Sequence, residues 1–123
     1  MGTGADILIA GFVLQGTGNK TLLVRGIGPA LKTLFNIGDA LTDPIVEIHD
    51  SSDNVVASNN DWDSSLTSTF DQVGAYHFSA GSKDAALLVT LPASAAGTGY
   101  TAQVKGNNGL TGEAVVEVYE ITP

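Results

Sequence analysis

The sequence predicts an all-β fold: an antiparallel, jelly-roll-like β-sandwich of about seven or eight strands with one or two short helical turns, in a single domain spanning residues 1–123. Three observations predict it. Short apolar or alternating runs recur along the whole chain, each bounded by Gly, Pro, Asn, Asp or Ser, the spacing expected of a sandwich or barrel. No strand–helix–strand unit interrupts them, which argues against a parallel sheet. Charged residues are only 15% of the chain while glycine contributes 15 residues, so turns and uncharged polar surface dominate.

The elements follow in order. Ile7 to Leu14 is apolar on both faces, with Ile7, Ile9 and Val13 on one side and Leu8, Phe12 and Leu14 on the other; Leu22 to Ile27 repeats the pattern apart from Arg25. Such runs predict central or fully covered strands. Gly16-Thr17-Gly18-Asn19 between them predicts a hairpin connection. Pro29 suits a first helical position, Leu31, Leu34 and Phe35 share helical spacing, and Gly38 supplies a stop. Asp43-Pro44 opens a hairpin in which Val46 and Ile48 point inward and Glu47 and His49 outward. It turns at Ser51-Ser52-Asp53-Asn54 and returns through Val55-Val56-Ala57. Leu66, Phe70 and Val73 have helical spacing, with Ser64 or Ser65 as N-cap and Gly74 as stop. Tyr76-His77-Phe78 is a candidate eighth strand. Ala85 to Leu91 is a strand closed by Pro92. Tyr100 to Lys105 alternates with Tyr100, Ala102 and Val104 inward, Asn107-Asn108-Gly109 is a turn, and Ala114 to Ile121 is the last strand.

Net charge is −8 with five Lys and Arg. So few cations build no basic patch, which argues against nucleic acid and anionic membranes as partners. No run reaches the ~18 apolar residues of a membrane span, so no membrane insertion is expected. The absence of cysteine excludes thiol catalysis, thiolate zinc sites and disulfides. The opening Met1-Gly2-Thr3-Gly4 has no basic n-region and no cleavage site, so no signal peptide is expected in this chain.

Catalytic constellations are weak. Gly11 to Thr21 has the glycines of a phosphate-binding loop, but Thr17 stands where that loop needs Lys and a strand follows. His49 and His77 are the only imidazoles, and no Gly-x-Ser-x-Gly elbow accompanies them. His49 alternates with core positions and is expected in solvent. Glu113, Glu117 and Glu120 on the last strand are expected as an outward acidic stripe guarding an edge. The chain is therefore expected not to be an enzyme.

Two binding candidates remain. Asp50, Asp53, Asn59, Asp61 and Asp63 supply the hard oxygens that calcium prefers, without the Gly and Glu of an EF-hand; the alternative is that they cap backbone groups. Calcium is thus the one candidate cofactor. Trp62 and Tyr76 are candidates for stacking on a glycan, unless Trp62 plugs the core.

Four stretches carry a family resemblance: Leu23 to Leu31, Asp43 to Asp50 running on to Asn60-Asp61-Trp62, Ser82 to Pro92, and Tyr100 to Val104 with Val115 to Glu120. Together they resemble a β-sandwich module found near the C-terminus of large secreted proteins of Verrucomicrobia-like bacteria. The middle part is more loosely similar to pre-peptidase C-terminal domains. The resemblance implies an extracellular or cell-surface, non-catalytic structural or adhesive module, and it carries over no catalytic residues. The partners implied are other domains of a larger surface protein or copies of the chain itself. Ile7, Ile9, Phe12 and Leu14 are the candidate assembly residues, because so apolar a strand near a terminus suits pairing with a neighbour.

Overall fold

The structure is a computed structural model and describes residues 7–121. It contains the expected antiparallel sandwich, with seven strands among the described residues: β1 (Leu8–Leu14), β2 (Asn19–Ile27), β3 (Pro44–Asp50), β4 (Val55–Asn59), β5 (Ala85–Pro92), β6 (Thr98–Gly106) and β7 (Val115–Ile121). Two sheets form, a four-stranded one in the order β1-β6-β3-β4 and a three-stranded one in the order β5-β2-β7. Two short helices, α1 (Pro29–Phe35) and α2 (Thr67–Val73), complete the fold.

The facing sheets enclose the first core. Leu22 and Val24 of β2 meet Val46 and Ile48 of β3 and Tyr100, Ala102 and Val104 of β6. Burying each such aliphatic side chain contributes roughly 1.5–3 kcal/mol. A second core lies on the other face of the three-stranded sheet. There Leu23 and Ile27 of β2 pack under Ala30 and Leu31 of α1 and Phe70 of α2, with Ala75 and Phe78 from the segment that follows. The protein is therefore three-layered over β2 and two-layered elsewhere. That explains why β2 is apolar on alternating positions of both faces, as expected of a fully covered strand.

β1 differs from its expectation. It is an edge strand, paired only to β6, with Leu8↔Val104 through Leu14↔Thr98 in unbroken antiparallel register. Leu14 is buried and Leu8 and Phe12 are half-buried against the first core, whereas Ile9 and Val13 face solvent. The Gly16–Asn19 segment is accordingly no hairpin: it carries the chain from one sheet to the other. Gly16 (φ 130°) and Gly18 (φ 75°) take backbone conformations that favour glycine there. The crossing is fastened to the β5–β6 connection by Gly16 N–H to Ser94 O and Ala93 N–H to Gly18 O.

Smaller differences have local causes. α1 ends at Asn36 in the left-handed conformation, ahead of Gly38. Its Leu34 and Phe35 are exposed, because only Ala30 and Leu31 face the sheet. Asp63, not Ser64 or Ser65, caps the turn before α2 by accepting from Ser65 N–H, while Gly74 ends α2 as expected. Tyr76-His77-Phe78 forms no strand and instead lays Phe78 into the second core.

Candidate functional site

The outer face of the four-stranded sheet carries a groove of about 520 Å³ beside β1. Its floor is set by register. Gly11 of β1 lies opposite Thr101 of β6, Val13 lies opposite Gly99, and Thr101 lies opposite His49 of β3. A Cβ placed on Gly11 or Gly99 meets nothing within 4 Å, so the sheet is bare at both positions. Glycine inside a strand weakens it, and one use of such a position is close approach by another chain. Ile9 and Val13 wall the groove on one side, at 56% and 66% exposure. Asp50, Ser51 and Asp53 of the β3–β4 turn wall the other.

The candidate assembly residues therefore separate. Ile7 and Ile9 are exposed as an interface requires, and Val13, outside the predicted set, is exposed more than either. Phe12 and Leu14 turn to the other side of the strand, Phe12 half-buried and Leu14 buried. Phe12 stacks on Tyr100 at 5.7 Å between ring centroids, and Leu14 is buried in the first core. Strict alternation of Cβ directions along a strand forces this division.

Next to the groove, His49 is buried rather than solvent-exposed. Its Nε2 lies 3.0 Å from Glu47 Oε1 and its Nδ1 2.8 Å from Asp53 Oδ1, and Lys105 Nζ lies 3.2 Å from Glu47 Oε2. Burial alone lowers the His49 pKa, but the hydrogen bonds to Glu47 and Asp53 outweigh it and hold it above the usual value. Burial raises Glu47, and the bonds from His49 and Lys105 reverse that and lower it. The result is a charged net across the middle of an otherwise uncovered sheet face.

The five candidate calcium ligands do not converge. Asp50 Oδ1 accepts from Ser52 N–H and Asn54 N–H at 2.9 Å each, and these bonds, Asn54's foremost, lower its pKa. Asp53 is engaged with His49. Asn59 Oδ1 accepts from Ala86 N–H, and its Nδ2 donates to Asp61 O. Asp63 caps the following turn, and the Ser65 N–H lowers its pKa. Backbone capping thus occupies Asp50, Asn59 and Asp63. Among the described residues no group of three or more His, Asp or Glu side chains is placed to hold a metal ion.

Trp62 and Tyr76 belong to the second core. Trp62 stacks on Phe70 at 5.3 Å, and Tyr76 meets Phe78 edge-on at 6.2 Å. Both are half-buried there. Between these rings lies Arg25, fully buried, with its guanidinium carbon 4.3–4.7 Å from the centroids of Phe70, Tyr76 and Phe78. Its Nε donates to Glu117 Oε1 at 2.9 Å and its Nη1 to Tyr76 O at 2.6 Å. Glu117 therefore faces inward and is corrected out of the expected acidic stripe. The single charge in the apolar run Leu22–Ile27 was the available signal for Arg25, and its role appears only once the sheet pairs Arg25 with Glu117.

No family model, no curated protein and no solved structure matches the chain.

Proposed function

We propose that this chain is a non-catalytic structural or adhesive module, acting outside the cell or at its surface, that joins a second copy of itself through the open edge of β1. The observation that carries the reading is that, among the described residues, β1 has none of the protections the other edges have. Natural edge strands are kept from pairing by charges, proline, bulges or a covering element. β4 has only five residues and its pairing with β3 is broken by a bulge between Ile48 and His49. β5 ends in Pro92, and Asn59 reaches it from β4 to accept from Ala86 N–H. β7 carries the exposed Glu120. β1 is seven residues of unbroken register with no charge, no proline and an exposed Ile9 and Val13.

The net charge of −8 opposes association of two copies at long range. The strand itself is uncharged, so salt screens the repulsion without weakening the contact. The test is light scattering across a concentration series at low and high salt. Dimers or larger assemblies that grow with concentration and salt are expected, and Ile9→Lys with Val13→Lys should return the protein to monomer. A strict monomer at millimolar concentration, or a doubly substituted protein of unchanged assembly state, overturns the reading.

A further inference from the structure

β1 is close to a palindrome about its centre. Read backwards, Leu8-Ile9-Ala10-Gly11-Phe12-Val13-Leu14 places Leu where Leu stands, Val where Ile stands, Phe where Ala stands and Gly on itself. Exposure follows the same symmetry: Ile9, Gly11 and Val13 are exposed, and Leu8, Ala10 and Phe12 between them are half-buried. β6 lies on one side of the strand, and among the described residues no strand pairs with the other side. That side offers a row of backbone N–H and C=O groups, and what satisfies such a row is another strand.

The register of an antiparallel partner is restricted. Residues directly opposite one another point to the same face of a sheet. Leu8, Phe12 and Leu14 turn to the first core, so a copy that continues the sheet meets odd-numbered positions with odd and even with even. Of these registers, one overlaps all seven residues. It sets Gly11 opposite Gly11 of the second copy, Ile9 opposite Val13, Ala10 opposite Phe12 and Leu8 opposite Leu14. Two exposed β-branched side chains then cover each other on the outer face, and Ala10 leaves room beside the Phe12 ring. A shift of two residues either way sets Gly11 against Ile9 or Val13 and shortens the overlap. No charge enters the contact, so the net charge of −8 opposes it only at long range.

We infer that two copies join β1 to β1 antiparallel, with Gly11 of each on the two-fold axis, into one sheet that runs through both molecules. The inference rests on the self-association proposed above and names its partner strand and register. The joined sheet has the order β4-β3-β6-β1-β1-β6-β3-β4, with about 24 Å of new pairing at ~3.4 Å per residue. Both copies use the same edge, so the contact closes on itself and assembly stops at two copies.

The chain contains no cysteine, so an introduced thiol is unique. Positions 9, 11 and 13 can each accept one: a Cβ on Gly11 meets nothing within 4 Å, and Ile9 and Val13 are exposed. Opposite residues of an antiparallel pair lie roughly 4.5–5.5 Å apart between Cα atoms, within disulfide reach. Position 9 of one copy lies four residues along the strand from position 9 of the other, about 13 Å and beyond that reach. The experiment is mild oxidation of Gly11→Cys, of Ile9→Cys, of Val13→Cys and of an equal mixture of the last two, read on non-reducing gels. Val56→Cys, exposed on β4, sets the rate of chance collision, and light scattering of the unsubstituted chain runs beside it. Gly11→Cys and the mixture should link at least about tenfold faster than Val56→Cys, because pairing holds the thiols at high effective concentration. Ile9→Cys alone and Val13→Cys alone should only match Val56→Cys. Ile9→Cys linking to itself as fast as the mixture would mean parallel pairing, and a mixture no faster than Val56→Cys a different surface; either overturns the register while self-association stands. Masses beyond two copies overturn the closed dimer, and a monomeric unsubstituted chain overturns both this inference and the reading beneath it.

Discussion

β1 and β2 carry nearly the same pattern, apolar on both faces, and meet opposite fates. β2 runs through the middle of the smaller sheet and is covered on one face by the other sheet and on the other by α1 and α2. β1 lies at the rim of the larger sheet, and its Ile9 and Val13 face solvent. The apolar side chains of β2 are accounted for by two cores. The outward ones of β1 are accounted for by neither, and an apolar surface that folding does not use is where an interface is expected. The contrast separates residues that hold the fold from residues that the fold only displays.

Substitutions on β2 break the comparison most strongly. Leu23→Ala opens a cavity where the side chain is wholly buried, at an expected cost of about 2–5 kcal/mol. Arg25→Ala removes three ring contacts and leaves Glu117 without its partner, with an expected loss of about 3–5 kcal/mol, as for breaking a buried ion pair. Arg25→Met keeps most of the volume and should cost clearly less than Arg25→Ala. Urea unfolding followed by Trp62 fluorescence measures all three, because Trp62 stacks in the same core. Equal costs for Met and Ala at position 25 would show that the charge, and not the packing, is what that core needs.

The matching change on β1 should leave stability almost untouched. Val13→Lys places its charge in solvent, and surface substitutions usually stay within about 0.5 kcal/mol. Its expected effect is on association, at least about tenfold, a factor equivalent to ~1.4 kcal/mol. Urea midpoints and sedimentation on the same variant check both halves. A large loss of stability would mean that Val13 supports the fold, through its contact with the β5–β6 connection at Gly97.

This pair of strands also shows what the sequence could tell. Short apolar and alternating runs located all seven strands of the described residues and placed Val46, Ile48, Tyr100, Ala102 and Val104 inward, because strand periodicity is a local property. It failed where partners are chosen at a distance. Gly16-Thr17-Gly18-Asn19 has hairpin residues, yet β1 pairs with β6 and β2 with β5 and β7, and nothing local distinguishes a hairpin from a crossing between sheets. His49 alternates correctly to the outer face, but it is buried there, with its ring nitrogens bonded to Glu47 and Asp53. The Asp and Asn residues gathered at 50–63 were legible as a polar loop. Their use as caps depends on which backbone N–H each one meets.

The smallest expected effect compares the two outer faces directly, one sealed by helices and the other held by the Lys105–Glu47–His49–Asp53 net. His49 has a folded pKa above its ordinary 6.5. Its contribution is fully present below that value and is lost as pH rises through the folded pKa. Glu47 has a folded pKa below its ordinary 4.5, so its contribution is present above 4.5 and is lost as pH falls through the folded value. Between these limits both groups are charged and the net is at full strength. His49→Gln keeps the size of the ring approximately and cannot become charged. Melting temperatures of the two proteins should therefore differ most near the lower part of the range from about pH 5 to 9 and converge as His49 deprotonates. The gap is expected to stay below about 1 kcal/mol, since Asp53 is exposed and screened. Parallel curves across the range would mean that His49 contributes packing alone, and that the uncovered face is held by β-sheet pairing without help from charge.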